Sequence, residues 1–213
     1  MYSKRQMMDI LVVTGGIGSG KTEVCRILQE LYGCGVYNAD ERVKMLYDAH
    51  PSLLNDIEAL AGETMRDAEG RFVPSRLSNR IFRDRALLMK VEDLVFPALM
   101  DDFKSWTRSY CDDRFVVFES ATVLEKPQFK GFGDKVILVD ALMETRLDRA
   151  CLRVSAPRES IYSRMLNQTM MNDVSEGKSL PDVDAVIHNY GSLSDLRFST
   201  IRAIGSLYDK HEI

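Results

Sequence analysis

Several residue types that build common functional sites are scarce in this sequence. Only three histidines occur in 213 residues, and none of the four cysteines belongs to a C-x-x-C pair. A structural zinc site therefore has few ligands available, and we expect the cysteines to be reduced thiols, as in cytosolic proteins. No apolar run approaches the roughly 20 residues needed to cross a bilayer. We expect a soluble, cytoplasmic protein with no membrane partner.

The charge balance argues against a further class of functions. The chain has 28 basic and 32 acidic residues and a net charge of −4, which disfavours nucleic-acid binding through overall charge. Hydrophobic residues make up 45% and charged residues 28% of the chain, a composition typical of a globular protein with a buried core. The length suits one domain with a large insertion or two small domains.

Five short apolar segments have the pattern of strands that are buried on both faces. These segments are residues 10–14, 36–38, 115–118, 135–139 and 185–188. Helical spacing of apolar residues occurs at 21–32, over most of 40–106, and at about 144–153, 158–172 and 193–208. Residues 172–181 have the composition of a loop. The alternation predicts an α/β fold with a five-stranded parallel sheet flanked by helices, in which ligands bind at the carboxyl ends of the strands.

A glycine-rich segment between the first strand and the first helix matches a nucleotide-binding pattern. Residues 15–22 fit G-x-x-x-x-G-K-[ST], in which the backbone N–H groups and the helix N-terminus bind phosphate. Lys21 is placed to reach the β- and γ-phosphates, and Thr22 to offer a hydroxyl to Mg²⁺. The sequence therefore predicts ATP or GTP binding. The predicted nucleotide contacts in this segment are Gly16, Ile17, Gly18, Ser19, Gly20, Lys21 and Thr22.

Two carboxylates near strand ends are candidates for the chemistry. Asp40 follows the second predicted strand, where it could accept a proton from an attacking hydroxyl or help to hold magnesium. It could equally cap the helix that begins there. Glu119 ends the third strand. It could act on magnesium through water, or serve as a structural ion-pair partner.

Arginines are concentrated in one predicted helical region. Arg146, Arg149 and Arg153 have spacings of three and four, so they share one helix face, and Arg158 and Arg164 follow. Such a cluster can close over a phosphoryl group as a lid. The alternative is a solvated helix face that is paired with neighbouring acidic residues.

Four motifs, spread over most of the chain, resemble those of the dephospho-coenzyme A kinase family. Residues 14–22 are similar to its T-G-G-I-G-S-G-K-[ST], and Ala39-Asp40 to the end of its D-A-D. Arg149, Arg153 and residues 164–168 resemble its spaced arginines and R-[IM]-x-x-Q. Residues 184–191 resemble A-D-x-V-I-x-N-x-G.

The resemblance implies ATP-dependent phosphorylation of the ribose 3′-hydroxyl of dephospho-CoA, which yields CoA and ADP in the last step of CoA biosynthesis. It implies ATP and Mg²⁺ as cofactors and dephospho-CoA as the small-molecule partner. It also implies a single P-loop kinase unit with three parts. These are a core at about 8–64, 112–143 and 176–213, a helical CoA-binding insertion at about 65–111, and a lid at about 144–175.

Roles for individual residues follow from the same resemblance. Asp40 is implied as the catalytic base, with Lys21 and Arg149 as the other catalytic residues, and Thr22 as the metal ligand. Further nucleotide contacts are implied for Arg153 from the lid, and for Asn189 and Gly191 near the adenine.

The sequence departs from the family pattern mostly on the substrate side. Asn38 replaces the first Asp of D-A-D, Phe96-Pro97 replaces an H-P motif, and Val73-Pro74 replaces an aspartate–arginine pair. Two alternatives remain open. One is another small-molecule or nucleoside monophosphate kinase on the same core. The other is a non-catalytic nucleotide sensor, which would need neither Asp40 nor the lid.

Overall fold

The computed structural model describes residues 8–153, 156–178 and 180–208. These residues form two compact units. One, the core unit, comprises the described residues up to Tyr37 and from Tyr110 onward, and the other, the helical unit, spans Asn38–Ser109. In the described part of the chain, no helix combines the length and the apolar composition that a membrane-spanning helix needs.

A five-stranded sheet with the strand order β2-β3-β1-β4-β5 organises the core unit. Its strands are β1 (Asp9–Gly15), β2 (Val36–Asn38), β3 (Phe115–Glu119), β4 (Lys135–Asp140) and β5 (Ala185–His188). The strand β1 pairs in parallel with β3 and β4, and β4 pairs in parallel with β5. The predicted fold class is thus confirmed, because the buried apolar segments form the strands of one sheet.

The helices alternate with the strands as the apolar periodicity predicts. In chain order they are α1 (Lys21–Tyr32), α2 (Ala39–Ala49), α3 (Pro51–Ala61), α4 (Pro74–Arg83), α5 (Arg85–Thr107), α6 (Met143–Arg153), α7 (Arg158–Leu166), α8 (Thr169–Ser175) and α9 (Leu193–Tyr208). In the core unit, α1 buries Val24, Ile27 and Leu28 in the cluster that contains Val13 of β1 and Val139 of β4. This packing fixes the start of α1 at the carboxyl end of the sheet.

The prediction of one helix at 158–172 is wrong, because the structure has two helices there with Gln168 between them. Helix α7 ends at Leu166, and α8 begins at Thr169. Between them the Gln168 side chain, only 5% exposed, accepts a hydrogen bond from the Ile17 N–H at 2.8 Å. This tertiary contact outweighs the local helical periodicity. The predicted loop at 172–181 is also shorter than expected, because α8 continues to Ser175.

Four helices, α2 to α5, make up most of the helical unit. The long helix α5 packs against α2, α3 and α4. Leu99 and Phe103 of α5 and Ile57 of α3 are among the buried apolar residues of this unit. The unit begins at Asn38, whereas the predicted insertion begins at about 65, so α2 and α3 group with the later helices. The CoA-binding role of this region stays a prediction.

The first turn of α2 is capped by Asn38. Its side chain accepts a hydrogen bond from the Glu41 N–H at 3.0 Å, which satisfies one of the N–H groups that the helix start leaves free. We expect Asn38→Ala to lower the free energy of unfolding by about 1 kcal/mol. Asn38→Asp keeps a capping oxygen and should cost much less. Urea unfolding of both variants measures the difference, and equal losses would show that capping is not the role of Asn38.

Candidate active site

The phosphate loop (residues 15–22) leads from β1 into α1. Gly15, Gly18 and Gly20 have φ angles of 144°, 77° and 102°, which residues other than glycine rarely adopt. The Ser19 N–H closes the turn on the Gly16 carbonyl at 3.1 Å. Because α1 begins at Lys21, the loop ends at a helix N-terminus, where free N–H groups and the helix dipole favour an anion.

The Lys21 side chain is held against this loop. Its ammonium Nζ donates to the Gly15 carbonyl at 2.9 Å and to the Gly16 carbonyl at 3.1 Å. The residue is only 9% exposed. A positive charge is thereby fixed beside the loop, as the binding of a nucleotide phosphate requires.

Thr22, which follows Lys21, and Glu119 provide two neighbouring oxygen-bearing side chains that could bind a metal ion. The Thr22 hydroxyl donates to the Glu119 carboxylate at 2.7 Å, and Glu119 is 4% exposed at the end of β3. Hydroxyl and carboxylate oxygens are the donors that Mg²⁺ prefers. Among the residues that the structure describes, no group of three or more His, Cys, Asp or Glu could hold a metal alone. The pair therefore fits a Mg²⁺ ion that is bound largely through nucleotide phosphates and water.

The arginines of α6 occupy different environments although they share one helix. Arg146 is 2% exposed, and its Nε donates to the Ile17 carbonyl at 3.0 Å. Arg149 has a buried Nη1 with no hydrogen-bond partner among the described residues. Arg153, at the end of the helix, is exposed. A buried guanidinium nitrogen without a partner is costly, so Arg149 is the member of the cluster best suited to gain a phosphate.

A cavity of about 240 Å³ lies beside the phosphate loop. The Asn189 side chain, at its edge, donates to the Ser19 carbonyl at 2.8 Å. The structure thus brings the predicted residues Arg149, Asn189 and Gly191 together around one hollow that adjoins the loop. The lining residues are Gly20, Glu23, Arg149, Asn189, Gly191, Leu193 and Leu196.

A buried carboxylate at the end of β4 anchors the segment that carries Asn189. The backbone carbonyl of Asp140 accepts from the Asn189 N–H at 2.7 Å, and its carboxylate accepts from the Tyr190 hydroxyl. The His188 Nδ1 lies 3.4 Å from the same carboxylate. The hydrogen bond to Asp140 raises the pKa of Tyr190 to about 12. The sequence assigned no individual role to His188 or Tyr190, because their contacts with Asp140 join residues 48 and 50 positions apart.

Asp40 lies in the first turn of α2, in the helical unit, and is exposed. The capping role that was open for it belongs to Asn38. Its carboxylate is therefore not needed to cap the helix. The role of Asp40 in catalysis stays a prediction.

Gly18 is a position of the loop where the backbone leaves no space for a side chain. A Cβ there would overlap the backbone carbonyl of Arg146, and the φ angle is already left-handed. We expect Gly18→Ala to lower the free energy of unfolding by about 2–4 kcal/mol, from backbone strain together with overpacking. The matched control is Gly33→Ala, which has a φ of 67° and no atom within 4 Å of the new Cβ. Gly33→Ala should lower the free energy of unfolding only by the backbone strain, about 1–2 kcal/mol. Denaturant unfolding of the two variants checks this, and equal losses would contradict the overlap.

The parallel sheet, the glycine loop after β1 and the lysine on the loop carbonyls together define a P-loop nucleotide-binding protein. The fold of a solved Thermus thermophilus protein agrees, with a TM-score of 0.79, 24% identity, and coverage of 95% of this chain and 99% of that one. A solved dephospho-CoA kinase from Campylobacter jejuni has the same fold, with a TM-score of 0.56, 21% identity and coverage of 95% and 98%.

The chain belongs to the dephospho-CoA kinase family, whose family model matches residues 9–195. A dephospho-CoA kinase from Porphyromonas gingivalis is 38% identical over 161 residues, which cover 76% of this chain and 78% of that protein. The chain is therefore an ATP-using enzyme of CoA biosynthesis. The family resemblance predicted from the four motifs is confirmed.

Proposed function

We propose that the enzyme transfers the γ-phosphoryl group of MgATP to the ribose 3′-hydroxyl of dephospho-CoA. Family membership supports the acceptor. The observation that carries the donor site is the phosphate loop, with Lys21 Nζ on the Gly15 and Gly16 carbonyls and Thr22 beside Glu119. The products are CoA and ADP. We propose the cytoplasm as the location, and this too is a prediction from the sequence.

The donor side of the reaction is assigned to residues of the core unit. The backbone of residues 15–22 binds the phosphates, and Lys21 neutralises charge on the β- and γ-phosphates as the transfer proceeds. Thr22 and Glu119 would hold Mg²⁺, directly and through water. Bound there, Mg²⁺ would supply positive charge that offsets the charge developing on the phosphate oxygens.

Four further residues would complete nucleotide binding. Arg149 would donate a hydrogen bond from its buried Nη1 to a phosphate oxygen. This bond would remove the energetic cost of a buried donor that has no acceptor. Arg153, exposed at the end of α6, would reach a phosphate when the lid closes. Asn189 and Gly191 would form the wall against the adenine, since both line the cavity next to the loop.

Asp40 is proposed as the general base. It would accept the proton of the 3′-hydroxyl as the new O–P bond forms and the bond from the γ-phosphorus to ADP breaks. Two observations support this role. First, Asp40 lies two positions after the last residue of β2. Second, its carboxylate is not used as a helix cap, because the Asn38 side chain caps α2.

The test is the position of the new phosphate. Enzyme, ATP, Mg²⁺ and dephospho-CoA are incubated, and the product is compared by chromatography and phosphorus NMR with authentic CoA and with its 2′-phosphate isomer. We expect CoA alone, loss of turnover with EDTA, and recovery on adding Mg²⁺. The 2′-isomer, or no phosphorylated product, would overturn the acceptor assignment. Turnover that persists in EDTA would overturn the metal assignment.

A further inference from the structure

We propose that Arg146 is a positioning residue for ATP, which holds the phosphate loop from the outside and adds buried positive charge behind it. The inference rests on the proposed ATP site at residues 15–22. It gives this arginine a role different from the lid function that was predicted for the whole cluster.

Arg146 and Gln168 together fix both backbone groups of Ile17. Arg146 Nε donates to the Ile17 carbonyl at 3.0 Å, and the Ile17 N–H donates to Gln168 Oε1 at 2.8 Å. Arg146 Nη2 donates to the same Gln168 oxygen at 3.1 Å. In a planar trans peptide the N–H of Gly18 points opposite to the carbonyl of Ile17. These hydrogen bonds, which we call the Ile17 clamp, therefore direct the Gly18 N–H away from the Arg146 guanidinium, where it is available to a phosphate.

Arg146 is packed closely against the phosphate loop. A Cβ on Gly16 would overlap the Arg146 guanidinium, and one on Gly18 would overlap the Arg146 backbone. The Ile17 side chain packs against the apolar cluster of α6 and α7, which includes Leu147 and Met165. A lid arginine must move between open and closed positions. Arg146 is instead held in place by its hydrogen bonds to Ile17 and Gln168 and by its close approach to Gly16 and Gly18.

The charge of Arg146 is unusual because of its burial. The residue is 2% exposed and forms no ion pair within the described ranges. Burial lowers the pKa of its guanidinium, and the nearby Asp140 carboxylate works against this shift. A buried charge that contacts no counter-charge is unfavourable. A polyphosphate on the loop would offset that cost, so the contribution of Arg146 should grow with the number of phosphate charges.

Two variants and one control separate this role from general structural support. Arg146→Gln removes the charge and keeps a donor. Gln168→Glu leaves Arg146 in place and gives it a carboxylate partner, which cancels the charge. The control Arg197→Gln removes an exposed arginine of α9, which pairs with Glu30 of α1. Circular dichroism reports the fold, and calorimetry measures Kd for ATP, ADP and dephospho-CoA.

For each of the two variants we expect the Kd of ATP to rise at least about tenfold, because the net positive charge behind the phosphate loop is lost. The Kd of ADP should rise less, and the Kd of dephospho-CoA should stay within about twofold of wild type. The control should bind all three ligands as wild type does. If Arg146→Gln does not fold, Gln168→Glu decides alone, since it keeps every partner of Ile17.

Unchanged ATP affinity in the folded variants would overturn the inference. Equal losses for ATP and dephospho-CoA would also overturn it, because they would indicate general structural damage. The proposed function fails in a different way, namely if the wild-type enzyme binds no ATP, or if Lys21→Ala binds it as wild type does.

Discussion

Replacing Asp40 by asparagine is expected to lower kcat by a factor of about 10² to 10⁴ and to leave ATP affinity unchanged. Asparagine has nearly the same shape as aspartate, but it cannot take the proton of the attacking hydroxyl. The helix should be unaffected, because Asn38 and not Asp40 caps α2. The measurements are kcat with saturating substrates and Kd for ATP by calorimetry.

The control for this prediction is Glu41→Gln, which removes the neighbouring carboxylate of the same helical turn. Glu41 is exposed like Asp40, so the two variants change the charge of the α2 N-terminus equally. We expect Glu41→Gln to keep kcat within about twofold of wild type, as surface substitutions usually do. Equal kcat losses in both variants would indicate helix electrostatics rather than base catalysis. Loss of ATP binding in Asp40→Asn would assign Asp40 to the metal.

The second large effect is expected at Lys21. Lys21→Ala should lower kcat/KM by about 10² to 10³, the usual cost of removing one preorganised charge or donor from developing transition-state charge. The variant also loses the two hydrogen bonds from Nζ to the Gly15 and Gly16 carbonyls. We therefore expect weaker ATP binding in addition to slower transfer. Steady-state kinetics over a range of ATP concentrations separates the two effects.

Lys130→Ala is the matched control, because Lys130 is an exposed lysine of the core unit that lies outside the phosphate loop, the insertion and the lid. It should have wild-type kinetics. If Lys21→Ala retained wild-type kcat/KM as well, the phosphate loop would not be the donor site, and the assignment of the core unit would be wrong.

The sequence predicted the features that depend on short-range pattern. The strands were visible because β-branched and apolar residues run continuously where a parallel strand is buried on both faces, as in Val12 and Val13. The phosphate loop was visible because its chemistry needs consecutive residues, from Gly15 to Thr22. The family resemblance added the acceptor, which neither pattern contains.

The features that depend on long-range contact were not predictable. Arg146, Arg149 and Arg153 have helical spacing, but the sequence does not show which guanidinium lies against the loop. Gln168 was placed inside a continuous helix, because its contact with Ile17 joins residues 151 positions apart. In the same way, Asn38 was read as a departure from a motif, although in the structure it caps α2.

Two prolines at or beside the departures from the family pattern have local structural consequences in the helical unit. Pro74 stands at the start of α4, where its fixed φ angle suits the first turn. Pro97 lies inside α5, where it removes a helical hydrogen bond. Neither position identifies a substrate contact.

The most direct test of the account is the release of ADP, measured with ATP and Mg²⁺ in the presence and absence of dephospho-CoA. Adenosine and nucleoside monophosphates serve as competing acceptors. We predict that dephospho-CoA alone stimulates ADP release strongly, with one CoA formed for each ADP. Stimulation by another acceptor, or none by dephospho-CoA, would contradict the account.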